Sequence, residues 1–323
     1  MTRTMHCTRL GPAITIVTLL LGAVISCDAG TIAPAPPKPV KVSDWVAAVD
    51  WSAATVVTVT MAEVSPSSYV FQPSTLTFEA GKPYVLRIVS PSVNVAKHYF
   101  SPEGAGNFYR AIATRKIQTS NAEYKAPYFD EVELLIGGTL EVYFVPVLPG
   151  TYDILCTIPG HKTLGMVGRI TITGGVGNQL NLEIPGDYNT ALATDPRKSG
   201  SHAVWTTRVD TTMLIAEQPS YRFVPKDLAL TRDRAYKIVL RSAAGNTEKH
   251  YYTAASFYRT VVVRKAEDSH AEIKVPYFNA IELLVGGSTQ LFVVPTVSGT
   301  YSAECTIAGH VAAGMTGTVV VSP

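Results

Sequence analysis

Residues Cys156–Met166 read CTIPGHKTLGM, and residues Cys305–Met315 read CTIAGHVAAGM. Each stretch sets a thiol, an imidazole and a thioether on one short loop: Cys156, His161 and Met166 in the first, Cys305, His310 and Met315 in the second. All three side chains are soft or borderline metal donors. A fourth donor must come from upstream, and each copy has one candidate, His98 in KHYF and His250 in KHYY.

The loops are the ends of a longer repeat. His98 and His250 lie 152 positions apart, whereas the Cys, His and Met pairs of the loops lie 149 apart. The difference falls just after the first His, where SPEGAGN before Phe108 becomes TAAS before Phe257. Tyr69-Val70-Phe71 answers Tyr221-Arg222-Phe223, FYR recurs, KAPYF answers KVPYF, and VELLIGG answers IELLVGG. A period of this length is a duplicated domain, not a solenoid.

The local pattern is that of strands. Thr55 to Met61 is rich in Val and Thr, while Tyr84–Val89 and Leu140–Val145 are short apolar runs. Thr151–Cys156 and Val167–Thr173 flank the first loop. Gly81-Lys82-Pro83, Gly137-Gly138 and Pro149-Gly150 read as turns. Phe108 to Lys116 is expected to be a short helix. Many short strands at regular spacing predict an all-β fold, a Greek-key β-sandwich in each half. The expected domains are residues 46–174 and 205–323, joined by a Gly-, Asn-, Asp- and Ser-rich linker over 175–204.

The N-terminus carries Arg3 and Arg9 ahead of an apolar run from Gly11 to Ile25, which is too short to span a bilayer comfortably. It ends Val24-Ile25-Ser26-Cys27 and resembles a bacterial lipoprotein signal over residues 1–26, with Cys27 as the lipidated N-terminus. Residues 27–45 are Pro- and Ala-rich and read as a tether. The expected location is therefore outside the cytoplasm, anchored by lipid to a bacterial membrane and facing the periplasm or the cell exterior. Cys7 falls in the signal, so the four cysteines leave one thiol per repeat and no obvious disulfide. A net charge of +2 and the absence of basic clusters give no sign of a nucleic-acid partner.

Two His, a Cys thiolate and a weak axial Met form the donor set of a blue-copper electron-transfer site. Taken singly, a buried Cys or Met is more often core, and a lone His is more often structural. The same set twice favours metal, and the thioether in a strand context favours copper over zinc. Through YDILCTIPGHKTLGMVGRITI and YSAECTIAGHVAAGMTGTVVV both halves resemble the cupredoxins, and the Cys-x4-His-x4-Met spacing is most similar to rusticyanin and auracyanin. That resemblance implies two tandem cupredoxin-like sandwiches, each with one type 1 copper ion. The implied ligands are His98, Cys156, His161 and Met166 in the first, and His250, Cys305, His310 and Met315 in the second. His161 and His310 would be the electron ports. The chain departs from the family in having Tyr99 and Tyr251 where an Asn commonly follows the first His, and in having Ala308 where the first loop has Pro159.

These features point to an electron carrier with protein redox partners, a cytochrome or a copper enzyme. Copper reductases and oxidases need further imidazoles, typically in His-x-His pairs, and this chain has none. Beyond the four histidines among the implied ligands, only His202, in the linker, and His270, expected to be solvated, follow the signal, which itself contains His6. The chain is thus read as lacking catalytic activity. The rival reading is a lipid-anchored copper chaperone or store.

Overall fold

The computed structural model describes residues 40–103, 107–175, 182–183 and 190–323. The signal, Cys27 and the tether up to residue 39 lie outside the described residues. Among those described, no helix is long and apolar enough to cross a membrane. They fall within one compact unit, Lys38–Pro323.

Val- and Thr-rich runs form the strands, as their β-branched side chains favour. Thr55–Ser65 pairs in parallel with Tyr84–Val89 and antiparallel with Ser68–Gln72. Tyr84–Val89 pairs in turn with Thr139–Pro146. Strand Gly150–Leu155 leads into the first loop and Val167–Thr173 leaves it, paired antiparallel from Gly150↔Ile172 to Leu155↔Val167. In the second repeat Gly299–Glu304 and Thr316–Ser322 do the same. The expected helix over Phe108–Lys116 is corrected: only Phe108–Arg110 forms a helical turn, of 3-10 type, capped by the Asn107 side chain. From Ile112 the chain is a strand, because Ile112, Ala113 and Thr114 pair with Pro146, Val145 and Phe144.

The two repeats share their sheets. Glu131–Leu134 of the first pairs antiparallel with Ala271–Lys274 of the second, and Ala122–Lys125 of the first with Ala280–Leu283 of the second. One sheet of each repeat therefore continues into a sheet of the other, giving an eight-stranded and an eleven-stranded sheet. A single apolar core runs through both repeats, and Tyr124 of the first and Phe278 of the second are fully buried at the seam. Burying such a ring contributes roughly 1.5–3 kcal/mol.

The seam also places like charges face to face. Glu133 lies opposite Glu272, and Glu123 opposite Glu282, all four buried. Opposed carboxylates destabilise a sheet unless neutralised. Lys97, Lys265, Lys116 and Lys249 each reach one of them, at 2.7, 2.7, 2.6 and 3.2 Å. Burial, and then the facing Glu123 carboxylate, push Glu282 above its ordinary pKa. Burial raises Glu123 too, but the Lys116 ammonium outweighs it and holds that group below its ordinary value.

Part of the expected linker is ordered on the second repeat. Helices Thr190–Ala193, Pro196–Ser199 and His202–Thr206 lead to Trp205, which is buried with Leu192 against Ala235, Val262 and Val294. His202 itself is exposed on the last of these helices.

Candidate metal centres

Each loop is folded by its own backbone. His161 N–H donates to Ile158 O, Leu164 N–H to Gly160 O, Met166 N–H to His161 O and Cys156 N–H to Met166 O. Gly165 sits at φ +104°, in the left-handed region, and a Cβ there would press on Tyr69 O at 3.2 Å. The second loop repeats this pattern from His310 N–H to Ile307 O through Cys305 N–H to Met315 O. Ala308 in place of Pro159 leaves these bonds intact.

The fold brings the upstream His to the loop. His98 opens the strand His98–Pro102, which lies beside the strand ending at Leu155. His98 Nδ1 is 3.1 Å from His161 Nδ1, and Cys156 Sγ is 3.4 Å from the same nitrogen. In the second repeat the distances are 3.2 Å for His250 to His310 and 3.4 Å for Cys305 to His310. Within each triad the donor atoms lie within 4.8 Å of one another, and all six residues are buried. Met166 and Met315 are fully buried in the same core. Tyr99 N–H donates to Cys156 Sγ and Tyr251 N–H to Cys305 Sγ, each at 3.3 Å. The residue after the first His therefore binds the sulfur through its backbone, whatever its side chain.

Two carboxylates not singled out by sequence reasoning orient the upstream His. His98 Nε2–H donates to Glu63 Oε1 at 3.0 Å, and His250 Nε2–H to Glu217 Oε1 at 3.0 Å. Glu63 Oε1 also accepts from Val95 N–H and Ala96 N–H. Glu217 accepts from the Thr247 and Glu248 N–H groups and the Thr247 hydroxyl. Burial opposes the charge on Glu63, but the backbone N–H groups of Ala96 and Val95 and the His98 ring outweigh it and keep the carboxyl below its ordinary value. In Glu217 the same balance, with bonds from Glu248, Thr247 and His250, pulls the carboxyl down to about 2. Buried Asn94 and Asn246 hold the adjoining loops, donating to Met61 O and Ile215 O. The signal lay in the repeat itself: Ala62-Glu63 answers Ala216-Glu217, and Asn94 answers Asn246.

The triads fit a cation. With Nε2–H of His98 and His250 committed to carboxylates, their Nδ1 lone pairs face the loop His and the sulfur. Burial lowers the pKa of both His98 and His161, which favours the neutral, ligating form. Burial raises the Cys156 and Cys305 thiols, so a thiolate there needs a positive charge beside it. Donors about 2.0–2.3 Å from one shared ion stand ~3.3–3.6 Å apart at tetrahedral angles, close to the spacings observed. The donor set and its duplication fit two copper ions, one per repeat.

The remaining histidine expected to be solvated is corrected. His270 is half-buried at the seam, its Nε2 2.6 Å from Ser120 Oγ and its carbonyl accepting from Leu135 N–H. Arg115-Lys116 and its counterpart in the second repeat, Arg264-Lys265, serve the fold. Arg115 and Arg264 lie over Trp51 and Trp205, and Lys116 and Lys265 pair with Glu123 and Glu272.

No protein-family model matches the chain, and no curated protein matches it. Solved structures do. An auracyanin B structure is 22% identical, with 36% of this chain and 91% of that chain covered and a TM-score of 0.25. A copper-containing nitrite reductase from Thermus scotoductus is 12% identical, over 84% of this chain and 62% of that one, at a TM-score of 0.28. A multicopper oxidase from Campylobacter jejuni, described as a metallo-oxidase, is 10% identical over 84% and 65%, at 0.29. At these identities and TM-scores the likenesses carry no chemistry, which rests on the side chains of the two triads.

Proposed function

We propose that the protein is an exported electron carrier built of two cupredoxin-like repeats, each holding one type 1 copper ion, and that it has no catalytic centre of its own. The observation that carries this reading is the pair of buried triads, whose donor spacings agree to within 0.1 Å between repeats. Copper so held supplies a one-electron couple, and thiolate, thioether and imidazole together suit both of its oxidation states. Met166 and Met315 complete the donor sets on this reading.

The chain's own residues supply the rigidity that such a couple needs. Three donors of each set sit on one hydrogen-bonded loop, and the fourth is clamped by Glu63 or Glu217, so the donor positions are fixed before any ion arrives. The buried surroundings of the sulfur exclude water. Export, the lipid anchor at Cys27 and a cytochrome or copper-enzyme partner belong to the same proposal.

Copper titration of the purified chain, followed by visible absorption and EPR, tests it. The expected result is an intense thiolate-to-copper band that saturates at two ions per chain. Cys156→Ser and Cys305→Ser should each remove about one centre's share of the band. A colourless protein that surrenders Cu(I) readily to a chelator would instead indicate copper handling.

A further inference from the structure

One of the differences between the two centres places a charge against a loop imidazole. His310 Nε2, the outward nitrogen of the second loop His, lies 3.4 Å from Glu248 Oε1. That oxygen also accepts the Tyr221 hydroxyl at 2.6 Å, and the Tyr221 ring lies tilted against His310 with centroids 4.7 Å apart. The Glu248 backbone is itself pinned, since its N–H donates to Glu217 Oε1, the oxygen that holds His250. Consecutive elements of one loop thus bridge both imidazoles of the second centre. In the first repeat the equivalent residue is Ala96. Its N–H makes the same bond to Glu63, and Tyr69 lies tilted against His161 at 4.5 Å, but the side chain is a methyl group. The neighbouring positions differ in the same sense: Val64, Val93 and Val95 are 61, 81 and 80% exposed, where the second repeat has Gln218, Gly245 and Thr247.

We propose that Glu248 makes the two centres inequivalent, acting through His310 as a positioning residue that lowers the reduction potential of the second centre below that of the first. The inference rests on the reading that each triad holds copper. A carboxylate that accepts the outer N–H of a ligating imidazole makes the ring a stronger donor. A stronger donor, and a negative charge nearby, favour the oxidised member of a one-electron couple, in which the centre carries one more positive charge. Among the described residues, no carboxylate pairs with His161 as Glu248 pairs with His310.

The test is mediated potentiometry of the full-length copper-loaded chain, in which two one-electron waves are expected. Glu248→Gln, which keeps the shape and removes the charge, should move the lower wave upward and leave the upper one in place, and Glu248→Asp should recover part of the original gap. Ala96→Glu should move the upper wave down. An unmoved lower wave in Glu248→Gln, a downward shift, or a shift of the upper wave alone would overturn the inference while leaving the copper reading intact. A single wave carrying two electrons per chain would overturn the inference alone, and a chain with no redox wave would overturn both. The metal-free protein offers a second readout: the His310 Nε2–H should exchange with solvent more slowly than that of His161, and Glu248→Gln should reduce the difference. Equal exchange in the wild type would count against the proposed contact.

Discussion

Glu63→Ala is the perturbation that bears most directly on how the first centre is held. One oxygen, Glu63 Oε1, accepts three bonds: from Val95 N–H at 3.1 Å, Ala96 N–H at 2.8 Å and His98 Nε2–H at 3.0 Å. A hydrogen bond to a charged group contributes about 1.5–3 kcal/mol net. Val95 is exposed, so water replaces part of what is lost there. His98 is fully buried, and its ring has no such substitute. The net cost to the metal-free fold is therefore about 2–4 kcal/mol, or a fall in Tm of ~5–15 °C at about 2–4 °C per kcal/mol. Freed from the carboxylate, the His98 ring can rotate or change tautomer, and removal of such an outer partner lowers metal affinity by about 10–100-fold. Copper affinity is measured by competition with a coloured chelator, with thermal melts of the metal-free chain alongside. Glu217→Ala should cost about 1 kcal/mol more in the metal-free melt, because Glu217 also accepts the Thr247 hydroxyl. Copper affinity within twofold of wild type in a folded Glu63→Ala protein would refute the reasoning, since the clamp would then contribute nothing to ligation.

Three further outcomes follow from the seam and the core. Glu282 has its pKa raised by burial and by Glu123, so the stability it lends is full below the ordinary value of 4.5 and is lost as pH rises through the higher folded value; Glu282→Gln should accordingly gain in Tm relative to wild type as pH is raised from 5 to 8, by about 2–4 °C for each kcal/mol, and a gain that shrinks with pH would contradict the raised value. Gly287→Ala would set a Cβ 2.0 Å from Asn121 O of the other repeat, and a backbone atom held in pairing cannot turn aside; a loss of about 3 kcal/mol is expected, read in a urea melt, with Gly138→Ala, which meets His270 O at 2.1 Å, behaving alike. Phe278→Ala empties a fully buried position against Tyr124 and Tyr258 and should cost about 3–5 kcal/mol, lowering the stability of both repeats together in a single transition; two separate transitions would show that the repeats fold independently.

Much of this molecule is written in adjacent residues. Strand alternation, Gly and Pro turns, the Cys-x4-His-x4-Met loop and its duplication all rest on short-range spacing, because side-chain direction along a strand has a period of two and a loop's own backbone bonds need only its own residues. That is why the triads were legible, including the upstream His98 and His250. The helix expected over Phe108–Lys116 failed for the opposite reason: after one turn, Ile112–Gln118 is captured as a strand by Thr139–Pro146, a partner more than twenty residues away. Strand periodicity says that a segment pairs, but not with what. Only the tertiary structure decided that Glu131–Leu134 and Ala122–Lys125 take their partners from the other repeat, that buried glutamates there face one another, and that Glu63, Glu217 and Glu248 meet the imidazoles. A carboxylate acquires its role from the donor that folding brings within about 3 Å of it, and that neighbour is set by long-range pairing rather than by the residues beside it in the chain.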